Sequence, residues 1–433
     1  MSWVSDRGNV ESGEKRIKMA ETMMQVLSIL KQQYRIERPL EGLRISACLH
    51  VTKETAVLCH VLREGGAEVA LCASNPLSTQ DDVAAALAEA GFHVYAFRGM
   101  SPQQYYTAIG YALSHGPHLT VDDGADLVSS IHKLHHRVED SSLTYVREGL
   151  GGEVDVSKIF GGTEETTTGV VRIRALERDG LLLYPVVAVN DALSKSLFDN
   201  PLGTGQSAID GVIRATNVLI AGKTVVVAGY GRVGSGIAER AKGLGARVIV
   251  VEPDPIKALQ AYMNGFIVTS MDKAAELGDI FITATGNIDV IRLEHFMKMK
   301  DGAILANAGH MDVEINKQDL ASLTASVEYV RENVAMHRLK DGRKIFSLAE
   351  GRLVNLVCGE GHPSEVMDLS FALQAESLRY IVKNHEKLEK KVFPVPREID
   401  EKVAALKLTS FGVELEKLTE KQREYMRSWA AGT

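Results

Sequence analysis

Three glycines and a glutamate in the middle of the chain have the types and spacing of a dinucleotide site. Gly229, Gly231 and Gly234 read G-x-G-x-x-G and directly follow the valine-rich run at 224–228. Such glycines permit a tight turn, close approach of a pyrophosphate and close packing of the next helix on the strand. Glu252 ends the next apolar run, about 20 residues on, where a carboxylate accepts the ribose hydroxyls of NAD and repels the extra phosphate of NADP. A glycine triplet alone suits any strand-to-helix turn, but this ordered set predicts an NAD site.

Two polar stretches upstream could carry acid–base chemistry. The segment 164–169, EETTTG, is a dense set of hydrogen-bond donors and acceptors; the alternative is a helix cap beginning at Thr163 and Glu164. The apolar run 181–189 ends in Asn190 and is followed by Lys195, Asp199 and Asn200. A lone lysine is usually a solvated surface charge, so its position after a buried strand raises the expectation of chemistry only modestly.

Three further polar groups follow strands predicted in the first third of the chain. They are His50, Thr52 and Glu54; Asn75, Thr79 and Gln80; and Asp122, Asp123 and Asp126. Ligands of parallel sheets bind beyond the carboxyl ends of strands, which makes these groups candidate site residues. A satisfied core histidine at His50 and a turn or cap at Asp122–Asp123 explain the same pattern equally well.

The elements that must position these residues alternate between strand and helix. Strands are predicted at 45–51, 68–73, 93–97 and 119–122, with helices at 53–64, 81–90 and 102–114, after an amphipathic helix at 15–34. The alternation resumes after a helix at 206–219, with strands at 224–228, 247–251, 265–269, 279–283 and 303–307. This pattern predicts an α/β fold with two doubly wound parallel sheets.

The remaining segments are less regular. Residues 132–162 are predicted to be irregular, with His132, His135 and His136 on a solvated face rather than in a metal site. A hairpin is expected from 344–348 and 353–356, a hinge or turn at 358–364, a helix at 365–384 and a charged helical tail at 398–433.

Composition excludes several classes of protein. The 433 residues carry a net charge of −7, so there is no general basic footprint for nucleic acid. No apolar run approaches a membrane span, and the first residues do not form a secretory signal. The four cysteines lack metal-type spacing and fit a reducing cytoplasm, which predicts a cytoplasmic protein of two or three domains.

Several longer motifs carry a resemblance to a known family. The blocks CLHVTKETAVL, SNPLSTQDD, DDGADL, GGTEETTTGV, VNDALSKSLFDN, AGYGRVGSG, NAGHMDVEI, LAEGRLVNL and GHPSEVM, running to KLTEKQREYM, closely resemble the S-adenosylhomocysteine hydrolase family. The resemblance implies a substrate-binding domain at 1–200, an NAD-binding Rossmann domain at 201–357, a hinge and return to the substrate domain at 358–395, and a helical tail at 396–433. It also implies a homotetramer.

The reaction implied is reversible cleavage of S-adenosylhomocysteine to adenosine and homocysteine. Oxidation of C3′ by bound NAD makes the C4′ proton acidic, homocysteine leaves by elimination, water adds, and C3′ is reduced again. The alternatives are a hydrolase for S-inosylhomocysteine, a simple NAD-dependent dehydrogenase, and a silent NAD-binding regulator. The intact polar motifs argue against the last two.

Roles carry over from the resemblance residue by residue. Lys195 is expected to be the base at the 3′-hydroxyl, tuned by Asp199 and Asn200, and its pKa should be lowered by its site. His50, Asp123 and His310 would handle the C4′ proton and the sulfur or water, with their roles left open. The expected substrate contacts also include Glu165 and Thr167 on the ribose, Thr52 and Glu54 on the adenine, and His362 and Met367 closing over it.

The expected cofactor contacts come from several segments, and no metal is expected. They are Thr166, Thr167, Thr168, Asn200, Gly229, Gly231, Arg232, Val233, Gly234, Glu252, Thr285, Asn287, Ala308, Gly309, His310 and Asn355.

Three departures from the family pattern stand out. Thr204 occupies a position where relatives often carry cysteine, and the stretch between Ile131 and Gly162 is longer than expected. The printed sequence ends WAAGT, without the lysine- and tyrosine-containing tail of many relatives. This ending predicts the short-tailed type found among thermophiles and archaea.

Overall fold

The fold was analysed in a computed structural model, which describes residues 2–5 and 9–430. The strands, in chain order, are β1 (Trp3–Val4), β2 (Arg44–Leu49), β3 (Glu68–Ala73), β4 (His93–Ala96), β5 (Leu119–Asp122), β6 (Gly161–Glu164), β7 (Val186–Ala188), β8 (Thr224–Ala228), β9 (Arg247–Val251), β10 (Ile267–Val268), β11 (Ile280–Thr283), β12 (Ala303–Asn307), β13 (Thr324–Arg331), β14 (Val334–Leu339), β15 (Lys344–Leu348) and β16 (Val392–Pro394).

The α-helices connect and follow these strands, and the last of them is exposed along its whole length. They are α1 (Val10–Met23), α2 (Gln25–Glu37), α3 (Lys53–Glu64), α4 (Asp81–Glu89), α5 (Pro102–Ser114), α6 (Asp126–His135), α7 (Ser142–Leu150), α8 (Thr167–Arg178), α9 (Leu193–Ser196), α10 (Gly205–Thr216), α11 (Arg232–Gly243), α12 (Pro255–Met263), α13 (Met271–Leu277), α14 (Leu293–Phe296), α15 (Lys317–Leu323), α16 (Val354–Val357), α17 (Ser364–Asn384), α18 (Arg397–Ser410) and α19 (Glu420–Arg427).

The first sheet is parallel throughout and has the order β1-β4-β3-β2-β5-β6-β7-β16. The chain adds strands outward from β2 in one direction and from β5 in the other, so the order reverses between β2 and β5. Loops after the carboxyl ends of those two strands diverge, which opens the crevice where ligands bind in such folds. His50 follows β2 and Asp123 follows β5, so both lie at this crevice.

The second sheet has the order β10-β9-β8-β11-β12-β15-β14-β13. It is parallel from β10 to β15, and β14 and β13 then extend it as an antiparallel edge. Its switch point lies between β8 and β11, next to the glycine-rich turn. The prediction of two doubly wound sheets is confirmed, whereas the predicted domain boundaries remain a prediction.

Helix α17 follows the second sheet along the chain and packs back into the core of the first sheet. It packs against α2, α3 and α18, and most of its middle is buried. The Asp368 carboxylate accepts the backbone N–H groups of Val26 and Leu27 at 3.0 and 2.9 Å and the Lys407 ammonium at 2.8 Å. One buried carboxylate therefore joins α2, α17 and α18.

Two predictions about local structure were wrong because packing overrides local pattern. Residues 344–348 pair with β14 rather than with 353–356, and most of that second run lies in helix α16. Residues 132–162 are only partly irregular, because Ser142–Leu150 form α7, which packs closely on α5. A Cβ added at Gly110 would meet the Val146 carbonyl oxygen at 2.2 Å, and one at Gly149 would meet the Thr107 carbonyl oxygen at 2.1 Å.

Three further predictions need correction. His132 is buried rather than solvated, with its ring nitrogens 2.7 Å from the Val128 carbonyl oxygen and 3.0 Å from the Leu183 amide nitrogen. The predicted helix at 15–34 is two helices that meet at Met24. Of the strand expected at 181–189, only Val186–Ala188 form a strand, which is β7. Nothing is described for residues 431–433, on which part of the predicted tail falls. Among the described helices, none combines the length and apolar character needed to span a bilayer.

Candidate active site

A cavity of about 740 Å³ lies between the carboxyl edges of the two sheets. Its wall includes the following predicted site residues: His50, Thr52, Glu54, Asp123, Glu165, Thr166, Thr167, Thr168, Lys195, Asp199, Asn200, Gly231, Arg232, Val233, Thr285, Ala308, Gly309, His310, Asn355, His362 and Met367. Segments far apart in the chain thus form one cavity. Four predicted cofactor residues, Gly229, Gly234, Glu252 and Asn287, do not line it.

Lys195 lies at the centre of a buried polar cluster. It sits on the single-turn helix α9, directly after β7, and only 4% of the residue is exposed. Its ammonium lies 2.9 Å from Asp199 Oδ1, 3.0 Å from Asn200 Oδ1 and 3.3 Å from Asn190 Oδ1. Three oxygen acceptors converge on one nitrogen, so the charged form of the lysine is well solvated by the protein.

The electrostatics of this cluster contradict the expected pKa of Lys195. Burial by itself lowers the pKa of the ammonium, but the nearby carboxylates of Asp199 and Glu165 outweigh it, and the pKa is raised above the ordinary value. The prediction of a lowered pKa was therefore wrong for this arrangement. The sequence could not show that a second carboxylate, Glu165, would lie close enough to contribute.

Asp199 also forms a hydrogen bond with His362, which lies 163 positions further along the chain. Its Oδ2 lies 2.9 Å from Nδ1 of His362, whose Nε2 lies 2.9 Å from the Thr204 hydroxyl. Burial lowers the pKa of His362, but Asp199 outweighs it and the pKa is raised; burial likewise opposes the ionised form of Asp199, yet His362 and Lys195 hold its pKa below the ordinary value. The Lys195–Asp199–His362 chain is therefore a charged network.

His50, Asp123 and His310 form a second cluster in the same cavity. The Asp123 carboxylate lies 3.7 Å from His50 Nε2 and 3.8 Å from His310 Nδ1. Burial lowers the pKa of His50 to about 3, lowers that of His310 and raises that of Asp123. One Asp123 oxygen is buried without a hydrogen-bond partner among the described residues, so the cluster can take up a further polar group.

The approach of His310 depends on a glycine. Gly124 has φ +104, and a Cβ added there would meet His310 Nε2 at 2.3 Å. An alanine at this position would be strained and would push the imidazole away from Asp123.

Glu165 and the threonines follow β6. The Glu165 carboxylate accepts the Gln374 amide at 2.6 Å through Oε2, whereas Oε1 is buried and has no partner in the part of the chain that the structure describes. Burial raises the pKa of Glu165 to about 7. The alternative of a helix starting at Thr163 and Glu164 was wrong: Glu164 ends β6, and the Thr166 hydroxyl caps α8 by accepting the Gly169 amide at 3.0 Å.

Thr52, Glu54 and Met367 line another part of the cavity wall. Glu54 is almost completely buried, and its Oε1 accepts the Ser364 hydroxyl at 2.5 Å and lies 3.1 Å from the Lys53 ammonium. Since both contacts use the same oxygen, they do not engage Oε2. Ser364 begins α17, so this contact joins the start of α17 to the first turn of α3.

The glycine-rich turn is built as the spacing predicts. Gly229 has φ +95, and a Cβ there would meet the Ala284 carbonyl oxygen at 2.7 Å. A Cβ at Gly234 would meet the Gly229 carbonyl oxygen at 1.9 Å, whereas one at Gly231 would meet nothing within 4 Å. Gly231 therefore presents bare backbone to the cavity, while Gly229 and Gly234 hold the turn against the sheet.

The residues around this turn fit a dinucleotide. Helix α11 begins at Arg232 without a side-chain cap, which leaves backbone N–H groups for a phosphate. Asn355 lines the cavity, and its buried side-chain oxygen has no partner within residues 2–5 and 9–430. The Glu252 carboxylate accepts the amides of Tyr230 at 2.6 Å and Asp254 at 2.9 Å, which fixes it beside the turn. The exposed Asn287 side-chain oxygen instead accepts the Ile288 amide at 2.9 Å.

Four supporting residues were not among the predicted site residues. Asn190 and Gln374 hold Lys195 and Glu165, and Ser364 holds Glu54. Glu314 accepts the Thr285 hydroxyl at 2.6 Å and the Gly286 amide at 2.9 Å, and so shapes the turn after β11. A polar residue inside a helix that buries most of its length was a usable signal for Gln374, but the others carry no comparable signal.

Comparison with known proteins gives the family. The 3-phosphoglycerate dehydrogenase of Entamoeba histolytica matches with a TM-score of 0.41 and 13% identity over 81% of this chain and 99% of that chain, a likeness too low to support an inference. Adenosylhomocysteinases from Pyrobaculum aerophilum and Sulfurisphaera tokodaii are each 56% identical, covering 100% and 99% of this chain and 99% of each relative. The adenosylhomocysteinase of Aquifex aeolicus is 54% identical over 99% of both chains. The family model described as S-adenosyl-L-homocysteine hydrolase matches residues 2–432, and the chain therefore belongs to that family.

Proposed function

We propose that this chain catalyses the reversible hydrolysis of S-adenosylhomocysteine to adenosine and homocysteine, with NAD held as a resident cofactor. The observation that carries the proposal is the single cavity in which Lys195, Asp199 and His310 face the bare backbone of the glycine-rich turn. A hydrolase without redox chemistry would have no use for such a turn beside its acid–base groups. NAD, when bound, supplies a two-electron acceptor for the hydrogen at C3′ and returns it at the end of the cycle.

Gly231, Val233, Thr285 and Asn355 would hold NAD at the second sheet, with Glu252 at the adenosine ribose. The carboxylate of Glu252 disfavours the extra phosphate of NADP by charge repulsion. Reconstitution of apoprotein with each cofactor tests this role, and equal activity with NAD and NADP would remove Glu252 from it.

Lys195 takes the proton of the 3′-hydroxyl. Because its pKa is raised by Asp199 and Glu165, the lysine must first lose its proton. Ribose hydroxyls of the substrate donate hydrogen bonds to the Glu165 carboxylate and weaken its effect on the Lys195 ammonium. The pKa of Lys195 therefore falls, which favours the neutral form that acts as a base.

His50, Asp123 and His310 exchange the C4′ proton and protonate the leaving sulfur. A buried neutral imidazole is an acceptor at one nitrogen, and the low pKa of His50 keeps it neutral at physiological pH. Asp123 is buried between the two imidazoles with one oxygen unpartnered, so it can accept a proton from either side. Enclosure of the cluster excludes bulk water from the eliminated intermediate.

Two alternatives use the same cavity. A hydrolase for S-inosylhomocysteine differs only at the base, where Glu54 favours the adenine amino group. A simple dehydrogenase would release the reduced cofactor after every turnover. We also propose, from the family resemblance, a cytoplasmic homotetramer, which light scattering would test by giving four times the mass of the chain.

The decisive experiment incubates purified protein with adenosine and homocysteine and no added NAD. We expect S-adenosylhomocysteine to form, and denatured protein to release about one NAD per chain, because the hydride must be stored between half-reactions. The Lys195→Ala variant serves as the control, with NAD still bound and no product. Activity that requires added NAD and accumulates free NADH would instead support the dehydrogenase.

A further inference from the structure

Three metal-ligating side chains meet at the edge of the first sheet opposite the cavity. Glu68 is the first residue of β3, His93 is the first residue of β4, and His115 follows the last residue of α5. Neighbouring parallel strands begin at the same edge of a sheet, so Glu68 and His93 lie side by side at the amino ends. The active-site cavity lies at the carboxyl ends of the strands. The length of the strands therefore separates it from Glu68 and His93.

Two of the three separations between the ligand atoms are close to those of a tetrahedral site. Glu68 Oε1 lies 3.1 Å from His93 Nε2 and 3.5 Å from His115 Nδ1, and all three atoms lie within 4.8 Å of one another. Zinc binds imidazole nitrogen and carboxylate oxygen at about 2.0–2.2 Å, which places tetrahedral ligands roughly 3.3–3.5 Å apart. Only small side-chain movements would therefore bring the three atoms into a coordination sphere.

A further residue orients one of the imidazoles. The Tyr95 hydroxyl, two residues along β4, lies 2.7 Å from Nε2 of His115. A phenol oxygen can accept an N–H from Nε2, and in that tautomer Nδ1, which lies 3.5 Å from Glu68 Oε1, carries a lone pair and no proton. Histidine ligands of zinc are held in just this way by an oxygen acceptor on the other ring nitrogen.

The three ligand side chains are partly exposed to solvent and partly packed against the protein. The His115 side chain is 15% exposed, that of His93 34% and that of Glu68 53%, so an ion can enter from solvent while two ligands stay packed. The ring centroids of His93 and His115 lie 4.1 Å apart. Two histidines, one carboxylate and an open position for water form a set that zinc uses in proteins.

We propose that Glu68, His93 and His115 bind a divalent transition-metal ion, zinc by the chemistry of the ligands. The ion would join β3, β4 and the end of α5, and would stabilise the edge on which the short strand β1 pairs with β4. The sequence predicted no metal, so this site differs from that prediction. It is independent of the proposed hydrolase activity.

Calorimetric titration of chelator-treated protein with zinc chloride tests the proposal. His50, Asp123 and His310 form another group whose ligand atoms lie within 4.8 Å, so the titration uses a His310→Ala background to weaken that competing site. We expect about one zinc per chain. Glu68→Gln, His93→Ala and His115→Ala should each weaken binding at least tenfold, and Tyr95→Phe should weaken it less.

The matched control is His135→Ala, which removes an exposed histidine beside His136 and should leave zinc binding unchanged. Zinc should also raise the melting temperature of the His310→Ala protein. This rise should vanish when Glu68→Gln is added to it. Glu68 is half exposed, so that variant keeps the test decisive if a histidine variant does not fold. Absence of zinc binding, or equal affinity in the background and in Glu68→Gln and His115→Ala, would overturn the proposal.

Discussion

The ammonium nitrogen of Lys195 lies 2.9 Å from a carboxylate oxygen of Asp199, and both side chains are buried. The two residues are four positions apart along the chain, which brings both groups to one side of the segment that follows β7. Asp199 uses its other oxygen for His362, so the proposed base is linked to the residue that precedes α17 by two positions. The charge state of Lys195 therefore depends on segments from both halves of the chain.

Replacing Lys195 with alanine should abolish oxidation of C3′ without releasing NAD. The lysine contacts the 3′-hydroxyl in the proposed mechanism, whereas the glycine-rich turn binds the cofactor. Mixing the variant with adenosine should produce almost none of the near-ultraviolet absorbance of bound NADH. Lys15→Ala is the control, since Lys15 is exposed and pairs with the exposed Glu11. A normal signal from Lys195→Ala would show that another group takes the proton.

Replacing Asp199 with asparagine should lower the pKa of Lys195. Removal of an adjacent opposite charge disfavours the ammonium, because the Asp199 carboxylate is the largest cause that raises the pKa of Lys195. The midpoint of the pH dependence of adenosine oxidation, followed in single turnovers, should therefore move to lower pH. Asn200→Ala removes a neutral acceptor and should move it less. A shift to higher pH in Asp199→Asn would contradict the electrostatic assignment.

Replacing Glu165 with glutamine should reduce the loss of stability on raising the pH. The pKa of Glu165 is about 7 when folded, against an ordinary value of 4.5, so the native state holds a proton that the unfolded chain releases. Its stabilisation is complete below about pH 4.5 and is lost as the pH rises to 7, by about 3 kcal/mol at most. Urea unfolding across this range checks the prediction. Parallel curves for variant and parent would refute it.

Replacing Glu54 with glutamine should weaken selection for adenine. A carboxylate accepts hydrogen bonds only, which suits the C6 amino group of adenine and not the C6 carbonyl of hypoxanthine. The mismatch costs about 1–3 kcal/mol, so the ratio of kcat/KM for adenosyl over inosyl substrate should fall roughly tenfold or more in the variant. Ser364→Ala keeps the carboxylate and should change the ratio less. An unchanged ratio in Glu54→Gln would mean that another residue reads the base.

Replacing Asp368 with alanine should destabilise the fold by about 3–5 kcal/mol, because the buried Lys407 ammonium loses its partner. Chemical unfolding would measure the loss, and Lys407→Met in the same chain should restore part of it. Glu401→Ala breaks an exposed pair on the same helix, with Arg397, and should cost less than about 1 kcal/mol. Equal losses in the two single variants would contradict the role given to burial.

The two sheets and the glycine-rich turn could be predicted from the sequence because their causes are local. A run of valines, a glycine that must adopt positive φ and a helix start lie within a few residues of each other at 224–234, so spacing alone indicates them. Longer motifs such as EETTTG indicated the family through their resemblance to its motifs. The antiparallel strands β13 and β14 escaped prediction, because the edge strand β13 is exposed along nearly its whole length and β14 mixes buried with exposed residues, so neither shows a continuous apolar run.

The sequence by itself determined the fold class, the family and most residues of the cavity wall. Only the tertiary structure decided the electrostatics, because a pKa depends on charges and burial supplied by distant segments. Lys195 has a raised pKa since Glu165 lies beside it as well as Asp199, and Glu165 is oriented by Gln374 from a helix more than two hundred positions further along the chain. Likewise, Glu68, His93 and His115 form no motif along the chain and become a ligand set only where two strands and a helix end meet.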